Sequence, residues 1–71
     1  MRYEYIIEIK GKIKSRDLYE KIKKYNANVT DIIFMTLVYG EAELNGFISI
    51  ILTCLKYGKN SGIKVHFKRC K

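Results

Sequence analysis

The sequence predicts an α+β domain in which two helices pack on one face of a four-stranded, mainly antiparallel sheet. The element order is β-α-β-β-α-β, an open-faced sandwich, and three observations lead to it. Apolar and polar residues alternate near both ends of the chain, as in half-buried strands. Two internal segments instead repeat apolar residues at helical spacing. The length of 71 residues allows one domain, residues 1–71, with a single core.

The first strand and the first helix are separated by a change of period at Gly11. In Arg2–Lys10 the side chains alternate between the two sides of a strand. In residues 18–25 the apolar positions follow helical spacing, and we expect Ser15 to be the N-cap of this helix. The run Asn26-Ala27-Asn28 is expected to end the helix.

The middle of the chain predicts a hairpin of two strands. Residues 29–39 are dominated by β-branched and aromatic side chains, which predicts a long and largely buried second strand. Gly40 supplies the turn, and the alternation in residues 41–44 predicts a short third strand. Asn45 and Gly46 then mark a break before the second helix.

The second helix is predicted to run to about Tyr57, with a buried face at i, i+3, i+4, i+7 and i+8 spacing. The residues of this face are Phe47, Ile50, Ile51, Cys54 and Leu55. Ile48 and Leu52 point away from it. After a glycine-containing loop, residues 63–68 alternate as the last strand.

Composition narrows the range of functions. The 14 Lys+Arg against 7 Asp+Glu give a formal net charge of +7, which favours acidic partners and permits non-specific binding to nucleic acid. The same lysines also increase the solubility of the protein. No apolar stretch is long enough to span a bilayer, so we expect a soluble, cytoplasmic protein without membrane contact. Cys54 and Cys70 are expected to remain reduced there.

The sequence contains no residue pattern typical of an active site. Paired carboxylates, Cys-His metal spacing, a glycine-rich phosphate loop and a Ser-His-Asp set are all absent. The single histidine, His66, falls in the predicted last strand, where a structural or solvated role is the common one. We therefore predict that the protein is not an enzyme and binds neither a metal nor a cofactor.

Several short segments resemble, in the same order, sequences of the HPr phosphocarrier family. Residues 13–17 (Ile-Lys-Ser-Arg-Asp) resemble the family's Ile-His-Ala-Arg-Pro signature, and residues 24–29 (Lys-Tyr-Asn-Ala-Asn-Val) resemble its Lys-Tyr-Asp-Ala-Asp-Val stretch. Residues 46–52 are similar to the family's second helix. The resemblance implies an HPr-like fold and a relationship to the bacterial phosphotransferase system. The ferredoxin-like arrangement has the same element order and is the alternative.

The resemblance also implies that phosphate transfer has been lost. Lys14 stands in place of the family's phosphate-accepting histidine, and a lysine that is protonated at neutral pH is not a nucleophile. A slightly shifted alignment places Gly11 there instead. Gly46 takes the place of a serine that is phosphorylated in some bacterial members. The resemblance therefore implies an HPr-like protein that is not a histidine phosphocarrier.

Two overlapping sets of candidate binding residues follow. In the HPr family, the second helix and an arginine of the first helix bind partner proteins. This implies a partner-binding set of Lys14, Arg16, Phe47, Ile48, Ile51 and Leu52. The basic start of the first helix, with its exposed amides, predicts an anion-binding set of Lys12, Lys14, Ser15 and Arg16.

These sets predict a protein-binding or regulatory module, with a small basic nucleic-acid-binding domain as the alternative. Six tyrosines interspersed with lysines fit stacking on single strands. However, Tyr3, Tyr5, Tyr25 and Tyr39 fall at positions expected to pack in the core. The sequence leaves two points open: the oligomeric state, and whether the second-helix residues dock a partner or complete the core.

Overall fold

The computed structural model describes residues 1–11, 13–58 and 62–70, and its elements follow the predicted order. The bounds are β1 Arg2–Lys10, α1 Ser15–Ile22 continued by a 3-10 turn Lys23–Tyr25, β2 Asn28–Ile32, β3 Met35–Glu43, α2 Leu44–Tyr57 and β4 Ile63–Arg69. Two helices pack on a four-stranded antiparallel sheet, which confirms the predicted open-faced α+β sandwich. None of the helices in these ranges combines the length and the apolar composition that crossing a membrane requires.

The strands are ordered β2-β3-β1-β4 across the sheet, and every neighbouring pair is antiparallel. β1 and β3 therefore form the centre of the sheet, and β2 and β4 form its edges. This is the order of the ferredoxin-like arrangement, whereas the HPr arrangement has its first strand at a sheet edge. The structure thus agrees with the alternative arrangement. Periodicity could not distinguish the two, because it does not report which strands are neighbours.

The hairpin between β2 and β3 turns at Ile33 and Phe34, so the prediction of one strand over residues 29–39 is wrong. Ile32 pairs with Met35, which leaves only two residues in the turn. Both are large and apolar, with exposed fractions of 78% and 79%. Two-residue turns favour asparagine and glycine, and their absence from this turn hid it within an apolar run.

Gly40, predicted to be the turn, instead lies inside β3. Its φ of +151° is a conformation that side chains rarely adopt, and it pairs with Tyr5 of β1. A Cβ atom at this position would lie 3.3 Å from both the Tyr5 hydroxyl oxygen and the Asn26 carbonyl oxygen. The absence of a side chain at Gly40 therefore leaves room for the buried Tyr5 ring.

The core lies between the sheet and the two helices. Its buried apolar residues are Tyr5, Ile7, Ile9, Leu18, Ile22, Ala27, Val38, Ala42, Phe47, Ile50 and Cys54. The prediction that Cys54 is a small core residue is confirmed, and burial raises the pKa of its thiol to about 12. A thiol held neutral in this way is a weak nucleophile.

Candidate docking surface on the second helix

The second helix has a buried apolar face and an exposed one. It begins at Leu44, so Asn45 and Gly46, predicted as a break, lie in its first turn. The buried face consists of Phe47, Ile50 and Cys54. The exposed face, which we name the outer stripe, consists of Leu44, Ile48, Ile51, Leu52 and Leu55. Four of these side chains are between 44% and 55% exposed, and Ile51 is partly buried.

The outer stripe has the spacing of a helix–helix contact. Leu44, Ile48, Ile51 and Leu55 are separated by four, three and four residues, the a/d spacing that lines one side of a helix. Leu52 lies beside this line. No charged residue occurs in residues 44–55, although 30% of the chain is charged. An exposed apolar line of this kind is typical of a protein–protein interaction site.

Phe47, predicted as a partner contact, belongs to the core. Its side chain is only 4% exposed, and its ring stacks on Tyr3 and Tyr5 with centroid distances of 5.6 and 5.2 Å. The Phe67 ring of β4 lies 5.5 Å from it. Phe47 therefore holds α2 on the sheet. Leu55, predicted to be buried, is exposed, and the sequence could not separate the two roles because the helix is apolar nearly all round.

The predicted partner-binding set does not form one surface. Tyr25, at the end of the first helical segment, packs against Gly46, where a Cβ atom would lie 3.3 Å from the Tyr25 ring. Successive helix residues are about 100° apart, so Ile48 lies about 200° around α2 from Gly46. The outer stripe therefore faces away from α1, which carries Arg16 and begins just after Lys14.

The carboxylate of Asp31, an exposed residue of β2, lies beside the start of α1. Lys14 occupies the N-cap position without a side-chain capping bond, so the prediction of Ser15 as the N-cap is wrong. The Ser15 hydroxyl instead donates a 2.7 Å hydrogen bond to Asp31 Oδ2, and the Thr36 hydroxyl donates one of 2.8 Å to Asp31 Oδ1. An external anion would meet the negative charge of Asp31, which weakens the case for the anion-binding set. Lys12, a member of that set, lies outside the described residues.

We expect the Asp31 carboxyl to titrate below its ordinary pKa of 3.8, because the hydrogen bonds from Ser15 and Thr36 favour the charged form. A pKa that is lower in the folded state contributes stability above the unfolded pKa, and this contribution is lost as the pH falls through the folded pKa. Carboxyl-carbon NMR titration measures the midpoint directly. Ser15→Ala should return it towards 3.8, whereas Thr30→Ala, on the same edge of the sheet, should not. An unchanged midpoint in Ser15→Ala would contradict the assignment.

The open face of the sheet has paired charges. Lys68 Nζ lies 3.2 Å from Glu4 Oε2, and His66 Nε2 lies 2.6 Å from Glu8 Oε2. Tyr39, predicted to pack in the core, is exposed on this face and lines a shallow depression of about 800 Å³. Because the carboxylates of Glu4 and Glu8 lie beside Lys68 and His66, this face offers a phosphate backbone less positive charge than its basic residues alone would.

No family model matches the chain, and neither a curated protein nor a solved structure matches it. The resemblance to HPr sequences therefore stays a prediction from short motifs, and the strand order gives it no support. Among residues 1–11, 13–58 and 62–70, no group of three or more His, Cys, Asp and Glu is placed to hold a metal ion. Two surfaces expose several large apolar side chains: the turn at Ile33 and Phe34, and the outer stripe, whose members lie along one side of a helix.

Proposed function

We propose that this chain is a non-catalytic protein-binding module that docks a helix of its partner on the outer stripe of α2. The exposure of Ile48 and Leu52 carries this proposal. Had these residues completed the core, both would be buried, as Ile50 and Cys54 are. The proposal assigns no phosphocarrier role, since Lys14 offers no group that accepts phosphate from a phosphohistidine donor.

The area of the outer stripe supports weak and reversible binding. Full burial of a leucine or isoleucine is worth ~1.5–3 kcal/mol, so each half-exposed member of the stripe would contribute about 1 kcal/mol on docking. The four exposed members together would contribute ~4 kcal/mol, and a matching apolar face on the partner would contribute a similar amount. Association costs ~4–15 kcal/mol in lost freedom of motion, so the net gain is about 4 kcal/mol at most, and we expect a dissociation constant of about 1 mM or weaker from the stripe alone.

The spacing of the outer stripe favours a helical partner. An amphipathic helix lays its apolar face against such a line with anchors at i, i+3, i+4 and i+7 positions. Residues 44–55 carry no charge. We therefore do not expect this part of α2 to select its partner by charge.

Selection from a multivalently displayed library of amphipathic helical peptides tests the proposal, because multivalency retains weak binders. The folded chain should capture peptides with an apolar face, and Ile48→Asp should abolish the capture. Tyr19→Asp is the matched control, because Tyr19 is 43% exposed on α1 and lies outside the stripe. Circular dichroism checks that both variants keep their fold.

Peptides that bind wild type and Ile48→Asp equally well would contradict the proposed function, as would a failure to capture any helical peptide. Capture that requires Tyr19 but not Ile48 would move the docking surface to α1. A mobility shift with single-stranded nucleic acid that falls with added salt would favour the nucleic-acid-binding alternative instead.

A further inference from the structure

We infer that the free edge of β4 binds an extended segment of a partner protein in which acidic and apolar residues alternate. In the part of the chain that the structure describes, β4 pairs with β1 on one side and with no strand on the other. The partner segment would lie beside β4 as an additional strand of the sheet. This inference goes beyond the docking of a helix proposed above, because its contacts are those of Ile63–Arg69.

The backbone of β4 has unused hydrogen-bonding groups at every second residue. The Cys70 N–H donates a 2.8 Å hydrogen bond to the Arg2 carbonyl oxygen, and the Lys10 N–H donates one of 2.9 Å to the Gly62 carbonyl oxygen. Both bonds continue the register of β1 with β4, in which hydrogen-bonded pairs recur at every second residue. The N–H and C=O groups of the even-numbered residues of β4 therefore point towards β1. Those of the odd-numbered residues point to the free edge, where an added strand would bind them.

The side chains on one face of this edge are basic. Lys64, His66 and Lys68 lie on the open face of the sheet, where Lys64 is opposite Glu8 and Lys68 is opposite Glu4 of β1. Lysines on an edge strand commonly prevent pairing with further strands, and here they oppose a second basic strand. An acidic strand is favoured instead, because its carboxylates would lie directly opposite these side chains. Each lysine would then lie between a carboxylate of β1 and one of the partner.

The distribution of charge favours β4 over the other free edge of the sheet. The chain has a net charge of +7, which attracts an acidic segment and accelerates its encounter with the protein. Residues 63–69 contain three Lys and Arg and no acidic residue. The opposite edge strand, Asn28–Ile32, contains no Lys or Arg and includes Asp31. An acidic strand therefore has charge complementarity with β4 only.

The other face of the β4 edge is apolar and incompletely covered. Val65 is partly buried there, whereas Phe67 is 61% exposed although its ring lies 5.5 Å from the Phe47 ring. The helices lie mainly over the other strands, because α1 packs against β2 and α2 packs against β1 and β3. Apolar side chains of an added strand would therefore cover Phe67 and Val65.

The outer stripe lies on the same side of the molecule as this edge. Gly46 faces the α1 side, and Phe47, about 100° further around α2, faces the sheet. Another step of about 100° brings Ile48 to the flank that is directed towards β4. The apolar surfaces of the outer stripe and of β4 therefore adjoin. A strand that alternates acidic and apolar residues matches both faces of the edge, because its side chains point to the two faces in turn.

Amide hydrogen exchange measured by NMR tests the inference on the unmodified chain. The probe is the capped peptide Val-Glu-Val-Glu-Val-Glu-Val, which has the seven-residue length of β4. Saturating peptide should slow the exchange of the Val65 and Phe67 amides about tenfold or more, because these amides point to the free edge. The amides of His66 and Lys68 should change less, because they already donate hydrogen bonds to β1.

Substitutions separate the contribution of the backbone from that of charge. Val65→Pro removes an N–H that points to the free edge and should raise the dissociation constant of the peptide about tenfold or more. Lys64→Gln and Lys68→Gln should each raise it about twofold to fivefold. Lys21→Gln is the matched control, because Lys21 is exposed on α1 and its replacement changes the net charge equally. It should leave the dissociation constant unchanged.

Methylated peptides test strand pairing without any change to the protein. In an antiparallel pair the valine N–H groups of the peptide would face β4, so methylation of the valine nitrogens should abolish binding and methylation of the glutamate nitrogens should not. A parallel pair would show the reverse pattern. A peptide that binds equally well with either set methylated is not paired with β4, and this result would overturn the inference.

Three further results would overturn the inference. They are an absence of peptide binding, slowed exchange in Asn28–Ile32 instead of β4, and equal binding of a peptide with serine in place of valine. The last would show that the edge attracts negative charge alone, as a nucleic acid also carries. Capture of helical peptides through Ile48 would still stand in each of these cases. Conversely, a failure of that capture would leave binding at β4 standing, so the two proposals are tested separately.

Discussion

Replacing Phe47 with alanine is expected to lower the free energy of unfolding by ~3–5 kcal/mol, because it removes a buried ring and leaves a cavity. The ring is 4% exposed and lies within 5.6 Å of the rings of Tyr3, Tyr5 and Phe67, so its loss loosens the contact of α2 with β1 and β4. A domain of this length has ~4–11 kcal/mol of stability in total, so the variant should be marginally folded or unfolded. Urea denaturation followed by circular dichroism measures the change.

Ile48→Ala is the matched control for Phe47→Ala, because Ile48 lies on the same helix but is exposed. Its effect on the stability of the monomer should stay within about 1 kcal/mol. A stable Phe47→Ala variant that loses only peptide binding would contradict the core assignment and restore Phe47 as a partner contact.

Gly40→Ala is expected to destabilise the protein by ~2–3 kcal/mol, because its φ of +151° strains any side chain. The new Cβ atom would also lie 3.3 Å from the Tyr5 hydroxyl oxygen and the Asn26 carbonyl oxygen. Thermal unfolding of the variant measures the loss. Gly62→Ala is the control, because the nearest atom to a Cβ there is the flexible Lys10 Cδ at 3.4 Å.

Tyr5→Phe separates the two causes of the Gly40→Ala effect. The Tyr5 hydroxyl has no hydrogen-bond partner among the described residues, and burial raises its pKa to about 12. Its removal therefore breaks no bond and frees space beside Gly40. Gly40→Ala should be less destabilising in a Tyr5→Phe background. Equal destabilisation in both backgrounds would assign the whole effect to the backbone conformation.

The sequence predicted the elements in which hydrophobic period and boundary residues agree. β1 follows the predicted alternation from Arg2–Lys10, and the period changes after Gly11 as α1 approaches. The hairpin was predicted wrongly because these signals conflict there: Ile33 and Phe34 form the turn, while Gly40 lies in a strand. The turn is positioned by the pairing of β2 with β3 and not by turn-forming residues.

The candidate site could be predicted only in part. Ile48 and Leu52 were correctly placed away from the buried face, because their positions follow from helical geometry. Leu44 was missed because the prediction assigned it to the preceding strand. Leu55 was predicted to be buried because the sequence of a helix that is apolar on both sides does not reveal which side meets the sheet. The four-three-four spacing of residues 44–55 was present in the sequence, and a helix start at Leu44 would have shown it.

The strand order could not be predicted, because the alternation of apolar and polar residues in a strand is the same whichever strand lies next to it. β1 alternates in the same way at the centre of a sheet or at its edge. The distinction between the HPr and ferredoxin-like arrangements therefore needed the pairing of β1 with both β3 and β4.

That pairing also affects how the chain folds. β1 is made first, yet one of its two neighbours, Ile63–Arg69, is made last. Contacts between such distant parts of a chain require the closure of a long loop, and they slow the search for the native state. During synthesis on the ribosome, β1 must wait with its apolar side chains uncovered until nearly all of the domain has emerged. We expect the pairing of β1 with β4 to be a late step of folding and the incomplete domain to depend on protection from aggregation until β4 has emerged.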